Sequence, residues 1–188
     1  WTLSNDCIFG CDANDRMART SKMNMIMHGD GHGGGHHHDG FVNVNGIFDE
    51  RFDIILTNPP FGASVEKDDL VTASMVVSHN SALYEKRLEK YGEGYQNAQK
   101  RIKDHIGKPI SSLYDLGKTK NNKPKKVNTE ILFIERCLRL LKPGGRIGIV
   151  LPDGILNNSS LEKIRKYVEE KAYLQAVVSL PSETFLSS

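Results

Sequence analysis

No run of apolar residues in this chain approaches the roughly 20 needed to cross a bilayer as a helix, which excludes a membrane-spanning reading. The opening residues do not have the layout of a signal peptide, and the chain begins on Trp1 rather than Met, so it reads as part of a longer polypeptide. Cysteine is scarce. The three present, Cys7, Cys11 and Cys137, are an odd number that makes no disulfide framework and fits the reducing cytoplasm. Cys7 and Cys11 could be half of a zinc site, but no second cysteine pair follows, so buried free thiols are expected instead. A net charge of +2 is too near neutral to argue for nucleic acid by itself. There is no internal repeat.

What remains is a chain of 188 residues, 38% hydrophobic and 26% charged, long enough to bury a core and soluble in character. Apolar blocks alternate between strand and helix patterns. CIFGCD (7–12) reads as a short strand. NDRMARTSKMNMIMHG (14–29) reads as a helix capped by Asn14 or Asp15, carrying the stripe Met17, Ala18, Met25 and Ile26, and stopped at Gly29. A strand is placed at GFVNV (40–44) and another at ERFDIIL (50–56). TEILFIERCLRLLKPGG (129–145) is an amphipathic helix with Ile131, Leu132, Ile134, Leu138 and Leu141 on one face, ended by Pro143-Gly144-Gly145. RIGIVLP (146–152) is a buried strand, SLEKIRKYVEEKAYL (160–174) a helix and LQAVVSLP (174–181) a strand. Such alternation predicts a three-layer α/β sandwich with a mostly parallel sheet. Residues 63–128 break the pattern. They form a polar, mostly helical or irregular insert, with a helix at 81–106 interrupted by Gly-Glu-Gly and a mobile basic loop at 118–126.

The string ILTNPPFG (55–62) has the most specific chemistry. Proline cannot donate to a sheet ladder, so the strand must end by Asn58. The chain then leaves the strand with an amide, two rigid prolines and an aromatic ring. In open parallel sheets, ligands bind beyond the carboxyl ends of the strands. The Asn58 amide oxygen and the Pro59 carbonyl are two fixed acceptors. Together they suit a conjugated amino group, whose lone pair is freed when its protons are drawn toward tetrahedral geometry. Phe61 can stack on an extruded base. A tight turn with a buried Phe is the plainer alternative.

NPPF at a strand end resembles the catalytic motif of S-adenosylmethionine-dependent amino-group methyltransferases, chiefly the N6-adenine DNA enzymes. MARTSKMNMIMHGDGH (17–32) and LKPGGRIGIVLPDGIL (142–156) look like the methylation subunits of type I restriction-modification systems. The resemblance covers 7–62 and 129–185. It implies a Rossmann-like methyltransferase fold and direct methyl transfer to a flipped adenine. Asn58, Pro59 and Phe61 would hold the adenine, with Pro60 also on the substrate side. Asp12 would accept from the ribose hydroxyls of S-adenosylmethionine and Asp39 from its adenine amino group, with Phe41 packing on that ring. The resemblance further implies a specificity subunit and a restriction subunit as partners. The family's Gly-rich loop after the first strand is absent from 1–6, so that loop and its strand are expected upstream. The strands at 7–12 and 52–57 would then present unpaired edges, an opening for self-association.

Other features are weaker. His28, His32, His36, His37 and His38 lack the spacing of a structural zinc site, so no metal is assigned and a cofactor-side loop is preferred. Lys118, Lys120, Lys123, Lys125 and Lys126 could meet DNA phosphates, with Lys123, Lys125 and Lys126 as the named candidates, although such runs are often merely solvated. LPDGIL (151–156) reads equally as a pocket wall or an ordinary strand-to-helix turn. Two other readings stay open: the same chemistry on RNA or on a protein glutamine, and a non-catalytic interaction domain.

Overall fold

The computed structural model describes residues 7–29, 34–38, 40–43, 46–181 and 184. It divides into two compact units, 1–151 and 152–188. The first unit is mixed α/β. Its strands form three two-stranded sheets rather than one continuous sheet among the described residues.

The first pair is a βαβ unit. Strand β1 (Gly10–Asp12) runs parallel to β2 (Gly35–His37), joined by helix α1 (Asp15–Met27). Parallel neighbours need a crossover, and α1 supplies it. The helix starts where expected: the Asn14 Oδ1 accepts from the backbone N–H groups of Arg16 (3.0 Å) and Met17 (3.3 Å). It stops ahead of Gly29, whose φ of +74° is left-handed. The methionine stripe does not pack. Only Ala18 is buried, while Met17, Met23, Ile26 and Met27 are exposed. The strand expected at 40–44 is instead a bend at residues 40–42, and the pairing falls to the Gly-His segment before it.

The second pair carries the NPPF string. Strand β3 (Phe52–Thr57) runs parallel to β6 (Leu141–Ile149), with Leu56 opposite Gly148 and Thr57 opposite Ile149. Helix α3 (Thr129–Leu140) precedes β6 directly, so Pro143-Gly144-Gly145 does not end the helix. It forms a bulge: β3 advances two residues, Phe52 to Ile54, while β6 advances five, Leu141 to Arg146. Gly145 is required there, since a Cβ would come within 2.9 Å of the Asp53 carbonyl. The face of α3 also shifts. Cys137 and Leu140 are buried with Ile131, Leu132 and Ile134, whereas Leu138 and Leu141 are only half-buried.

The third pair is antiparallel: β4 (Ser64–Val65) with β5 (Val127–Asn128). It clasps the two ends of the 66–126 excursion together. That excursion is not a coreless insert. It contributes Val71, Tyr84, Tyr95, Ile102, Leu113, Tyr114 and Leu116 to the buried interior. Its long helix α2 (Ala82–Lys103) packs Tyr84, Tyr95 and Ala98 around Phe48. The expected break is present as a kink at Gly92, with φ 63° and ψ −147°. The basic loop is built as a tight turn, closed by Thr119 N–H to the Lys123 carbonyl at 2.8 Å.

In the second unit, α4 (Asp153–Asn157) and α5 (Glu162–Lys171) are tied by Arg165, which donates to the carbonyls of Ile155 (3.0 Å) and Asn158 (2.8 Å). LPDGIL is therefore a turn into a short helix. The strand expected at 174–181 does not form. Those residues are irregular, with Leu174, Val177, Val178 and Leu180 exposed. A strand exists only when its backbone is paired, and no described neighbour pairs this segment.

Candidate functional site at the end of the central strand pair

The Val150 N–H donates to the Thr57 carbonyl at 3.1 Å, so the carboxyl ends of β3 and β6 lie side by side. Asn58 leaves the pair at this edge. Pro59 turns inward and is buried; Asn58 and Pro60 are exposed, and Phe61 is 44% exposed. Gly62, with φ of +74°, reverses the chain. The Ala63 carbonyl then accepts from Thr129 N–H at 3.0 Å and β4 begins. Residues 58–63 are thus an arch fixed at both ends, by β3–β6 behind and β4–β5 ahead. Its stiffness comes from two prolines of fixed φ. It presents an amide and a ring to the space beyond the strand ends, the position at which ligands bind in parallel sheets.

Asp12 lies at the carboxyl end of β1 and is exposed. Its Oδ1 accepts from the Asn14 N–H at 2.7 Å, which fixes the turn into α1. An exposed carboxylate at a strand end suits paired hydroxyl donors. Asp39 and His32 lie outside the described residues. Phe41 is described, and its ring faces the interior: it is 7% exposed and packs on Phe133 (centroids 4.7 Å apart) and edge-on to Tyr114. A cofactor ring packing on Phe41 would have to meet what those neighbours leave uncovered.

The glycine-histidine segment is engaged locally. A ring nitrogen of His28 is 2.8 Å from the Asn24 carbonyl, and one of His37 is 3.0 Å from the Ala13 carbonyl. Burial, then the nearby Lys22, Arg87 and His38, hold the His36 pKa down at about 4. No group of three or more metal-ligating side chains occurs among the described residues. Cys7 and Cys11 are exposed, against expectation; only Cys137 is buried, and burial raises its thiol pKa to about 12. Of the named lysines, Lys126 pairs with Glu66 at 2.6 Å, Lys125 is half-buried and Lys123 is exposed. No helix among the described residues is long and apolar enough to cross a membrane.

Sequence reading missed a buried polar cluster on α3. Glu135 is fully buried and its carboxylate accepts from the backbone N–H groups of Asp115 (2.9 Å) and Leu116 (2.7 Å) and from Arg139. Arg136, 2% exposed, donates to Gly40, Val42, Asn43 and Asp49. The signal was a Glu-Arg pair, Glu135 and Arg136, set between Ile134 and Cys137 on the apolar stretch of the helix. A charge there must be paired.

An amide at the end of a parallel strand pair, followed by two prolines, stands where a ligand's amino group could be met. Residues 3–99 and 110–188 match the N-6 DNA Methylase family, and the chain belongs to that family. The match runs through most of 63–128, which the motifs alone did not connect. The chain is similar to the type II restriction enzyme and methyltransferase RM.Eco57I of Escherichia coli, 25% identical over 141 residues. It is also similar to the type I restriction enzyme EcoEI methylase subunit of Escherichia coli, 24% identical over 180 residues. These alignments cover 75% and 95% of this chain but only 10% and 27% of the two relatives.

Proposed function

We propose that this chain is catalytic-domain sequence of an N6-adenine DNA methyltransferase acting in a type I restriction-modification system. Its fold would be the Rossmann-like methyltransferase fold. The observation that carries the reading is the Asn58-Pro59-Pro60-Phe61 arch, with Asn58, Pro60 and Phe61 exposed, fixed at both ends beyond the β3–β6 strand ends. The type I assignment is supported by a match to a type I methylase subunit over 95% of the chain; a specificity subunit and a restriction subunit would be its partners.

S-adenosylmethionine, when bound, supplies a methyl group on a sulfonium that a weak nucleophile can attack. The chain's own residues make the amine a better one. The Asn58 side-chain oxygen and the Pro59 carbonyl accept the two N–H groups of the adenine N6 and draw it toward tetrahedral geometry. Its lone pair would then be free to take the methyl group as the sulfonium S–C bond breaks to a thioether, and the extra N6 proton, held by the Asn58 or Pro59 acceptor, would pass to water. Phe61 stacks on the flipped base, and Pro60 lines its approach. Asp12 and Asp39 would hold the cofactor through its hydroxyls and its amine. Lys123 and Lys126 are the exposed members of the trio offered to phosphates; Lys126 would first give up Glu66. Because the hydrogen bonds to N6 strengthen on the way to the transition state, Asn58 acts chiefly on kcat.

The test is methyl incorporation by the full-length protein into DNA, RNA and protein, with N6-methyladenine as the expected product in DNA alone. Asn58→Ala should abolish incorporation while S-adenosylmethionine affinity persists. Label in RNA or glutamine, or near-normal turnover by the variant, would overturn the assignment.

A further inference from the structure

The far anchor of the 58–63 arch is a strand pair only two residues long, Ser64 opposite Asn128 and Val65 opposite Val127. So short a ladder does not hold itself, and side chains brace it at both ends. Away from the arch, Lys126 pairs with Glu66 at 2.6 Å. On the arch side, the Thr129 N–H donates to the Ala63 carbonyl at 3.0 Å, and the Asn128 side-chain amide donates to Glu130 Oε1 at 3.1 Å. Strand β5 ends at Asn128 and α3 begins at Thr129, so the brace is built into the first turn of the helix.

Two features of this brace run against stability. Asn128 stands at the N-cap of α3, where a side-chain oxygen ordinarily accepts from first-turn N–H groups; it makes no such bond, and its amide holds Glu130 instead. Glu130 is 4% exposed, and its Oε2 accepts a hydrogen bond from no described residue. A buried carboxylate satisfied on one oxygen only is costly. A glutamate on the surface of the first turn would favour the helix dipole as well, so the dipole does not account for burying this one. Locally unfavourable choices that meet beside a candidate site point to function rather than to folding.

We propose that Glu130 is a positioning residue for the arch: by holding the Asn128 amide it fixes β5 against β4, and with it the far end of the turn that carries Asn58 and Phe61. The proposal rests on the functional reading above. Between Asn58 and Ala63 the chain is Pro59-Pro60-Phe61-Gly62, with two residues of fixed φ. A shift at the far anchor therefore has little backbone in which to be absorbed before it reaches the Asn58 amide. Misplacing a reacting group by about 1 Å can cost about a hundredfold in rate.

Glu130→Ala, Glu130→Gln and Asn128→Ala are compared with the unaltered full-length protein. The readouts are methyl-transfer kinetics on DNA, calorimetry with S-adenosylmethionine and hydrogen exchange of the Thr129 amide. Asn128 is exposed, so Asn128→Ala removes the same hydrogen bond from outside the core and covers the case in which Glu130→Ala does not fold. Ile134→Val, a core change on the same helix, controls for lost stability. Both alanine variants should lower kcat by about tenfold to a hundredfold, with S-adenosylmethionine affinity kept and Thr129 exchange accelerated. Glu130→Gln still offers Asn128 an acceptor and should keep most of the activity. The control should change none of these well below its Tm. With the unaltered protein active, unchanged kcat in both alanine variants overturns the proposal and leaves the functional reading standing. So does a loss in Glu130→Gln as large as in Glu130→Ala, or a loss of cofactor affinity that matches the loss of kcat. No methyl incorporation by the unaltered protein overturns the functional reading, and this proposal with it.

Discussion

Asp12 has two acceptor tasks that substitution separates. One oxygen is tied to the Asn14 N–H at 2.7 Å and steadies the turn into α1; the proposed role is to meet ribose hydroxyls. Asp12→Asn keeps an acceptor for the turn and loses the charge, so S-adenosylmethionine affinity should fall with little change in Tm. Asp12→Ala should lose the affinity and also about 1 kcal/mol of stability, as the loss of a cap does. Calorimetry and thermal melts check both. His36 offers a second test at this scale. Burial first, then Lys22, Arg87 and His38, hold its folded pKa at about 4, below the ordinary 6.5. The unfolded chain therefore binds a proton between pH 6.5 and 4 that the folded chain refuses. The stability this neutral histidine allows is present above pH 6.5 and lost as pH falls toward 4. His36→Gln should flatten that part of the Tm–pH curve; an unchanged slope would show that His36 titrates normally. Asn58 and Asp12 were legible because strand-end position follows from proline and from an apolar run that stops. Arg136 and Tyr114 were not, since their partners lie 93 and 73 residues away.

Among the elements, helices were read well because their signals are local. The Asn14 cap, the stop at Gly29 and the kink at Gly92 are each fixed by residues within one turn. Gly92 has φ 63° and ψ −147°, a region open essentially only to glycine. Gly92→Ala should cost about 1–3 kcal/mol in urea unfolding although a Cβ there meets nothing within 4 Å. A neutral result would mean that α2 straightens. Strands were read less well because they depend on partners elsewhere in the chain. The segment 174–181 has the right residues and no described neighbour to pair with. Pro143-Gly144-Gly145 reads equally as a helix stop and as the bulge it forms, and only the β3 register tells them apart.

At the scale of the molecule, the parallel pair β3–β6 is unusually open. Leu56 is 80% and Ile54 66% exposed, whereas Leu132 on α3 is fully buried. Parallel sheets normally have both faces covered. Leu56→Ser should therefore change the stability of the 188-residue chain by no more than about 0.5 kcal/mol, against about 2–5 kcal/mol for Leu132→Ala. A large cost for Leu56→Ser that grows with protein concentration would show that copies of the chain cover this face in solution. The core of the excursion was hidden in the sequence because it is built from scattered tyrosines and single aliphatics among charges. Tyr84 and Tyr95 around Phe48 have no periodic stripe to announce them.

The β4–β5 clasp also bears on the order of events in folding. β3 and β6 are separated by roughly ninety residues, and closing so long a loop is costly in chain entropy. Once Val65 meets Val127, the excursion is short-circuited and only about thirty residues remain to be closed. That removes about 1 kcal/mol from the barrier to joining the two central strands, since closure entropy grows only with the logarithm of length. The arch that presents Asn58 would be bounded at its far end before its near end exists, so the proline turn is shaped by a pair of strands only two residues long.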